Sequence, residues 1–373
     1  MFQPLQPLPH LPPPFPPNPT HLEILIVSDI HGTNENLEKV RVWANRTHSR
    51  FDLALCLGDL ANIKYDSPLP NVDELVEEES RTLQAIHDLQ NLAHTVIFVP
   101  GNHDVPQTYN PFSGFLPEHT INLHNQAVQI CDGLVMCGLG GCVPGFSEGS
   151  KKFIGYPFES DQELATFFTT STLRRLALEF NFPEGFISEE AFFEQQKRHK
   201  KQINSMMSLD DEEESPQETK GPLVAPSNIP PSYNLPLLSN AQEMKLSINP
   251  SSQVITSPEL PFRKDQVIFL SHTGPSGFPS TVTNFPDRSA VFYGSQAITD
   301  FFADPEITNF KDNTLAFIHG HTHDSMGIFP THKRFPPIMN VGALYKGSFG
   351  ILSLFKDNGK WTIEKSSLGS FPR

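Results

Sequence analysis

The chain has 373 residues, 38% of them hydrophobic, enough for one large domain or two ordinary ones. Its formal charge of -15 excludes a general attraction to polyanions, so nonspecific nucleic-acid binding is not expected and a phosphate-bearing substrate must be drawn in by a local cation. Four cysteines without CxxC spacing, no basic region followed by an apolar stretch at the start, and no run of membrane-spanning length predict a soluble, cytoplasmic protein with reduced thiols.

Residues 1–20 are dominated by proline, which favours extended polyproline II backbone; they read as a disordered tail, or as a docking segment for an aromatic groove. From 22 to about 136, apolar strand-like runs alternate with helical stretches. Leu37, Val40, Trp43 and Ala44 recur at helical spacing over 36–46, and Leu83, Ile86 and Ala93 do so over 79–93. This βαβαβ rhythm predicts parallel strands joined by right-handed crossovers. Residues 126–140 are strand-like. The cluster GGCVPGF (140–146) reads as a turn, and 161–180 and 189–199 read as helices.

The stretch 205–261 loses all apolar periodicity and cannot bury enough surface to offset its ordering entropy. A single domain over 21–373 is therefore expected, interrupted by a partly helical insertion at 150–204 and a disordered one at 205–261. Strand patterns resume at Gln266 and continue through NVGAL, GSFGILSLF and WTIEK.

Five apolar runs break off directly into residues of metal-ligand type: ILIVSDIHG, LALCLGD, VIFVPGNHD, VIFLSH and LAFIHGHTH. Ligands of open α/β sheets gather outside the carboxyl ends of strands, so five such endings point to strand tips converging on one polar site. Asp29 and His31 lie two apart, on one side of a pleat. Together the runs supply imidazoles, carboxylates and an amide in excess of the four donors a single zinc would use. The surplus argues for two divalent ions bridged by a carboxylate, roughly 3.5–4 Å apart.

In this order the motifs Asp29-x-His31, Gly58-Asp59, Gly101-Asn102-His103-Asp104, His272 and Gly320-His321-x-His323 resemble those of the calcineurin-like metallophosphoesterase superfamily. The resemblance covers about residues 22–136 and 266–356. It implies an α/β fold, a four-layer α-β-β-α sandwich of two mixed sheets, with a dinuclear site at the carboxyl ends of the strands. Carried over position by position, it implies one ion held by Asp29, His31, Asp59 and His323. The second would be held by Asp59, Asn102, His272 and His321. His103 would face the substrate instead of a metal.

A phosphoester is anionic and slow to hydrolyse, so the site must neutralise charge, acidify a water and protonate a departing alkoxide. Two ions (manganese, iron or zinc) serve the first two needs, with hydroxide on the pair attacking phosphorus in line. His103, beside a possible orienting carboxylate in Asp104, serves as general acid. His319 matches no ligand position and is expected to be structural.

The expected activity is hydrolysis of a small phosphomonoester or phosphodiester, cyclic nucleotides included. The protein serine/threonine phosphatase branch extends its second motif to GDxVDRG, whereas Gly58-Asp59 continues here as Leu60-Ala61-Asn62-Ile63-Lys64, which sets that branch aside. A non-catalytic scaffold on the same fold is the alternative, and the presence of His103 counts against it.

Overall fold

The computed structural model describes residues 19–47, 49–65, 70–111, 114–147, 150–153, 155–180, 265–284, 290–330 and 335–371. Strand β1 (His21–Val27), helix α1 (Glu35–Thr47), β2 (Phe51–Cys56), α2 (Val72–Gln90) and β3 (Ala93–Phe98) form the predicted alternation, with β1 parallel to β2 and β2 parallel to β3. Next come β4 (Thr120–Asn122), the antiparallel pair β5 (Gln126–Cys131) and β6 (Leu134–Leu139), the short strands β7 (Gly145–Ser147) and β8 (Ser150–Phe153), and helices α3 (Asp161–Thr170) and α4 (Thr172–Glu179). The second half contributes β9 (Gln266–Ser271), β10 (Val282–Asn284), β11 (Ala290–Phe292), β12 (Thr314–His319), β13 (Gly327–Phe329), β14 (Ile338–Asn340), β15 (Ser348–Asp357) and β16 (Lys360–Ser370).

Two six-stranded sheets result, in the orders β16-β15-β1-β2-β3-β4 and β13-β14-β12-β9-β6-β5. Both are mixed: β15 runs antiparallel to β1, and β5 and β13 run antiparallel to their neighbours. The central strands are apolar almost throughout because both of their faces are covered. Leu22, Ile24, Ile26, Leu53 and Leu55 meet Met136, Ile268, Leu270 and Ile318 of the other sheet. The intervening Leu25, Val27, Ala54 and Phe98 pack on Leu37, Val40, Ile86 and Leu89 of α1 and α2. On the far side Val135, Phe269 and Phe317 pack on α3, α4 and a helix over Gln296–Ala303. Four layers follow from period-two alternation on both sheets, each buried leucine or isoleucine contributing roughly 1.5–3 kcal/mol.

Local structure departs from the sequence reading in several places. Helix α2 starts at Val72 because Asn71 and Glu74 form a reciprocal capping box, each side chain bonded to the other's backbone N–H at 3.0 and 2.9 Å. Its acid-rich start is thus a first turn suited to the helix dipole. Ala93, expected on that helix, instead opens β3. The helix expected over 161–180 breaks at Ser171, whose hydroxyl accepts the N–H of Arg174 at 3.0 Å and caps α4.

Residues 145–146, expected in a turn, enter β7, part of a four-stranded sheet in the order β10-β11-β7-β8. Such three- and four-residue strands are too short to show alternation. The stretch 205–261, the helix expected over 189–199 and the proline-dominated residues 1–18 lie outside the described residues. Among the described residues no helix is long and apolar enough to cross a membrane.

Candidate metal centre

The seven candidate ligands lie between one and four residues beyond the ends of β1, β2, β3, β9 and β12. The loops that carry them are tightly turned. Asp29, His31, Asp59 and His321 all have positive φ, at 55°, 50°, 55° and 62°. The left-handed region costs a residue with a side chain on the order of 1–3 kcal/mol and persists only where surrounding structure over-determines it. Here the β1 and β2 loops are zipped together. The N–H groups of Ile30 and His31 both donate to the Asp59 carbonyl at 2.8 Å, and Asp29 N–H donates to Gly58 at 2.9 Å. Gly58 (φ 96°) permits close approach to the β3 loop, since a Cβ there would lie 2.5 Å from the Gly101 nitrogen and 2.7 Å from His272 Nδ1.

Two groups of donor atoms result. In the first, Asp29, His31, Asp59 and His323 present ligand atoms within 4.8 Å of one another. His323 Nε2 lies 3.0 Å from Asp29 Oδ1 and 3.5 Å from His31 Nε2, which is 3.7 Å from Asp59 Oδ2. In the second, Asp59, His272 and His321 meet within the same limit, and Asn102 Oδ1 joins them 3.0 Å from His272 Nε2. Asp59 belongs to both groups. Its Oδ2 sits 3.4 Å from His272 Nε2 without a well-formed hydrogen bond, and His321 Nε2 is likewise buried and unpartnered among the described residues.

A buried polar atom left unsatisfied costs about 1–3 kcal/mol, a penalty removed by a cation between such donors. The nitrogen and oxygen set fits manganese, iron or zinc. Further hydrogen bonds aim the donors. The Leu57 carbonyl accepts from His272 Nδ1 at 2.7 Å, leaving Nε2 toward Asp59, and Asp29 Oδ2 accepts the backbone N–H of His321 at 3.0 Å.

Charge is arranged to match. Burial pushes the Asp29 and Asp59 carboxyls up, but the surrounding imidazoles outweigh it and hold both well below the usual carboxylate range. Burial also disfavours a charged His272, yet Asp59 and Asp29 bring its ring up to about 9, whereas burial holds His321 well below an ordinary histidine. The field that retains a proton between these carboxylates would equally retain a cation.

His103 belongs to neither group, although its ring lies 5.1 Å from that of His31. Its Nδ1 pairs with the Ile63 carbonyl and its backbone N–H donates to Asp59 Oδ1 at 2.7 Å, so Nε2 is the ring nitrogen left for a ligand. The expectation that Asp104 orients this imidazole is corrected. The Asp104 carboxylate turns inward and accepts the N–H groups of Asp59, Ala61 and Gly101 at 2.9, 2.9 and 2.7 Å. Tight loops leave these three donors without a ladder partner, and they capture the nearest carboxylate. Burial, with the charge of Asp59, pushes Asp104 up to about 7. His319 is wholly buried, its Nδ1 bonded to Gly320 O at 3.0 Å, and it joins neither group.

Three aromatic residues at the site escape the sequence reading. Phe153 and Tyr293 set their rings against His321 at 5.0 and 5.5 Å, and the Tyr345 hydroxyl lies 3.1 Å from His323 Nδ1. Tyr293 directly follows the short run Ala290–Phe292, but a lone aromatic ring after an apolar run carries no metal-ligand signature.

The family model described as calcineurin-like phosphoesterase matches residues 22–218. No curated protein sequence matches. Among solved structures, the chain is similar to TT1561 of Thermus thermophilus, at 15% identity over 94% of this chain and 99% of that one, with a TM-score of 0.42. It is also similar to the calcineurin-like phosphoesterase YfkN from Bacillus subtilis, at 12% identity over 94% and 91%, with a TM-score of 0.34.

Proposed function

The chain belongs to the calcineurin-like phosphoesterase family, and from that premise we propose that it is a dinuclear hydrolase of small phosphomonoesters or phosphodiesters. Membership implies metal-dependent hydrolysis of phosphoesters; the two-ion centre and the residue roles are our reading. The observation that carries it is Asp59, whose buried, unsatisfied Oδ2 belongs to both donor groups.

In this reading Asp29, His31, Asp59 and His323 hold one ion, and Asp59, Asn102, His272 and His321 the other. Bound ions would neutralise the phosphate and lower the pKa of the attacking water. The remaining work falls to the chain. His103, anchored through Nδ1 and its backbone N–H, offers Nε2 to the leaving oxygen as general acid. Asp104 holds the backbone of the β2 and β3 loops so that Asp59 and His103 keep their places. Four free thiols, three of them buried, suit a cytoplasmic protein.

The test is a panel of substrates on protein reconstituted with Mn²⁺, Fe²⁺ or Zn²⁺: p-nitrophenyl phosphate, bis-p-nitrophenyl phosphate, cyclic and linear nucleotides, and phosphopeptides. Metal-dependent turnover of a mono- or diester is expected, with phosphopeptides poor. No turnover by protein shown to carry two ions would favour a scaffold.

A further inference from the structure

The turn after β14 enters the site from a direction no motif announces. Tyr345 is fixed there by its backbone: its N–H donates to Asp29 O at 3.1 Å, and its carbonyl accepts from Asn36 Nδ2 of α1 at 3.0 Å. The same amide donates to Leu344 O at 2.7 Å, and Leu344 N–H donates to Ser28 O at 2.8 Å. The loop carrying Asp29 and the turn carrying Tyr345 are therefore one hydrogen-bonded unit. The Tyr345 ring stands edge-to-face to both His31 and His323, with centroids 5.2 Å away in each case. Lys346 ties the other side of the turn to the His323 loop through Asp324 at 2.6 Å.

We propose that Tyr345 is a positioning residue: its hydroxyl fixes the ring orientation of His323 and accepts the Nδ1 proton in the tautomer that leaves Nε2 free for a cation. This rests on the reading of His323 as a metal ligand. A neutral imidazole carries one proton. With that proton on Nε2, facing Asp29 Oδ1 at 3.0 Å, the lone pair a cation needs is blocked. With it on Nδ1, the N–H donates to the Tyr345 oxygen and the Nε2 lone pair faces Asp29, His31 and Asp59.

A hydroxyl accepts as readily as it donates, so His323 can exchange one tautomer for the other without losing its Nδ1 hydrogen bond. His272 instead faces the Leu57 carbonyl, which only accepts and so fixes its proton on Nδ1, whereas His31 Nδ1 is buried without a partner among the described residues. Such outer partners typically change metal affinity or activity by about 10–100-fold when removed.

The experiment is calorimetric titration of metal-free, full-length protein with Mn²⁺. Tyr345→Phe keeps the ring contacts and deletes the hydroxyl. One of the two ions is expected to bind about 10–100-fold more weakly and the other as in the wild type. With Co²⁺ as the probe, the visible spectrum of the weakened site should shift.

Unchanged Mn²⁺ affinities in Tyr345→Phe, or an equal loss at both sites, each overturn the hydroxyl's role while the two-ion reading stands. If the wild-type chain binds no Mn²⁺ or Co²⁺, the two-ion reading falls and this one with it.

Discussion

Asp104 Oδ2 accepts the backbone N–H of Asp59 at 2.9 Å, so the carboxylate closing one sequence motif fixes the residue that closes another. Its remaining bonds, to Ala61 and Gly101, make it the brace of both loops. Asp104→Ala would strand three buried donors at about 1–3 kcal/mol each, so unfolding in urea should show a loss of at least about 3 kcal/mol. Asp104→Asn keeps one acceptor and should lose less. An alanine variant within about 1 kcal/mol of wild type would mean that water or a backbone shift replaces the carboxylate.

A second expectation concerns acid. His124 is buried, its Nδ1 accepts the Gly140 N–H at 3.1 Å, and burial pushes its ring down to about 4 from 6.5. The folded state thus prefers the neutral ring. Its contribution is complete above the unfolded pKa and is lost as pH falls from about 6.5 toward 4. By pH 5 the loss is roughly 2 kcal/mol. His124→Asn retains an acceptor but cannot titrate. The stability gap between wild type and variant, measured in urea under identical metal conditions, should therefore shift by about that amount against the wild type between pH 7 and pH 5. A gap independent of pH would show that the ring does not titrate with folding.

The meeting of the seven candidate ligands is legible in the sequence because each terminates or closely follows an apolar run, and parallel strands deliver such ends to one side. The four layers are legible for a related reason: runs such as ILIV and VIFL are apolar at both parities and need cover on both faces. Less local features escape. The inward turn of Asp104 depends on positive φ at Asp59 and on glycines that let two loops touch, neither visible along one segment. Tyr345 reaches His323 across a break of 22 residues in sequence, through a turn whose docking is specified by Asn36 on α1. The small sheet of β7, β8, β10 and β11 is built of three- and four-residue strands, below the length at which alternation can be read.

Asp59→Asn is a direct test of a shared ligand. The amide keeps the shape but loses the negative charge common to both donor groups, so occupancy of both ions should fall when metal content is measured per chain at equal free Mn²⁺. Loss of one ion with the other retained would assign Asp59 to a single site and remove the bridge.

The last expectation separates proton transfer from metal binding. His103 lies outside both donor groups, and its Nδ1 is already committed to Ile63, so its replacement should leave metal content near wild type. General acid catalysis contributes typically about 10²–10⁴-fold, and His103→Ala should lower kcat by that factor on esters with poor alkoxide leaving groups. p-Nitrophenolate departs with little protonation, so on p-nitrophenyl esters the loss should shrink, which supplies an internal control within one variant. Because the His103 N–H to Asp59 Oδ1 bond is a backbone bond, alanine preserves it, and the Asp59 carboxylate should not be disturbed. Equal losses on good and poor leaving groups would make His103 a binding residue. A missing ion in the variant would make it a ligand, and either result would remove the general-acid role.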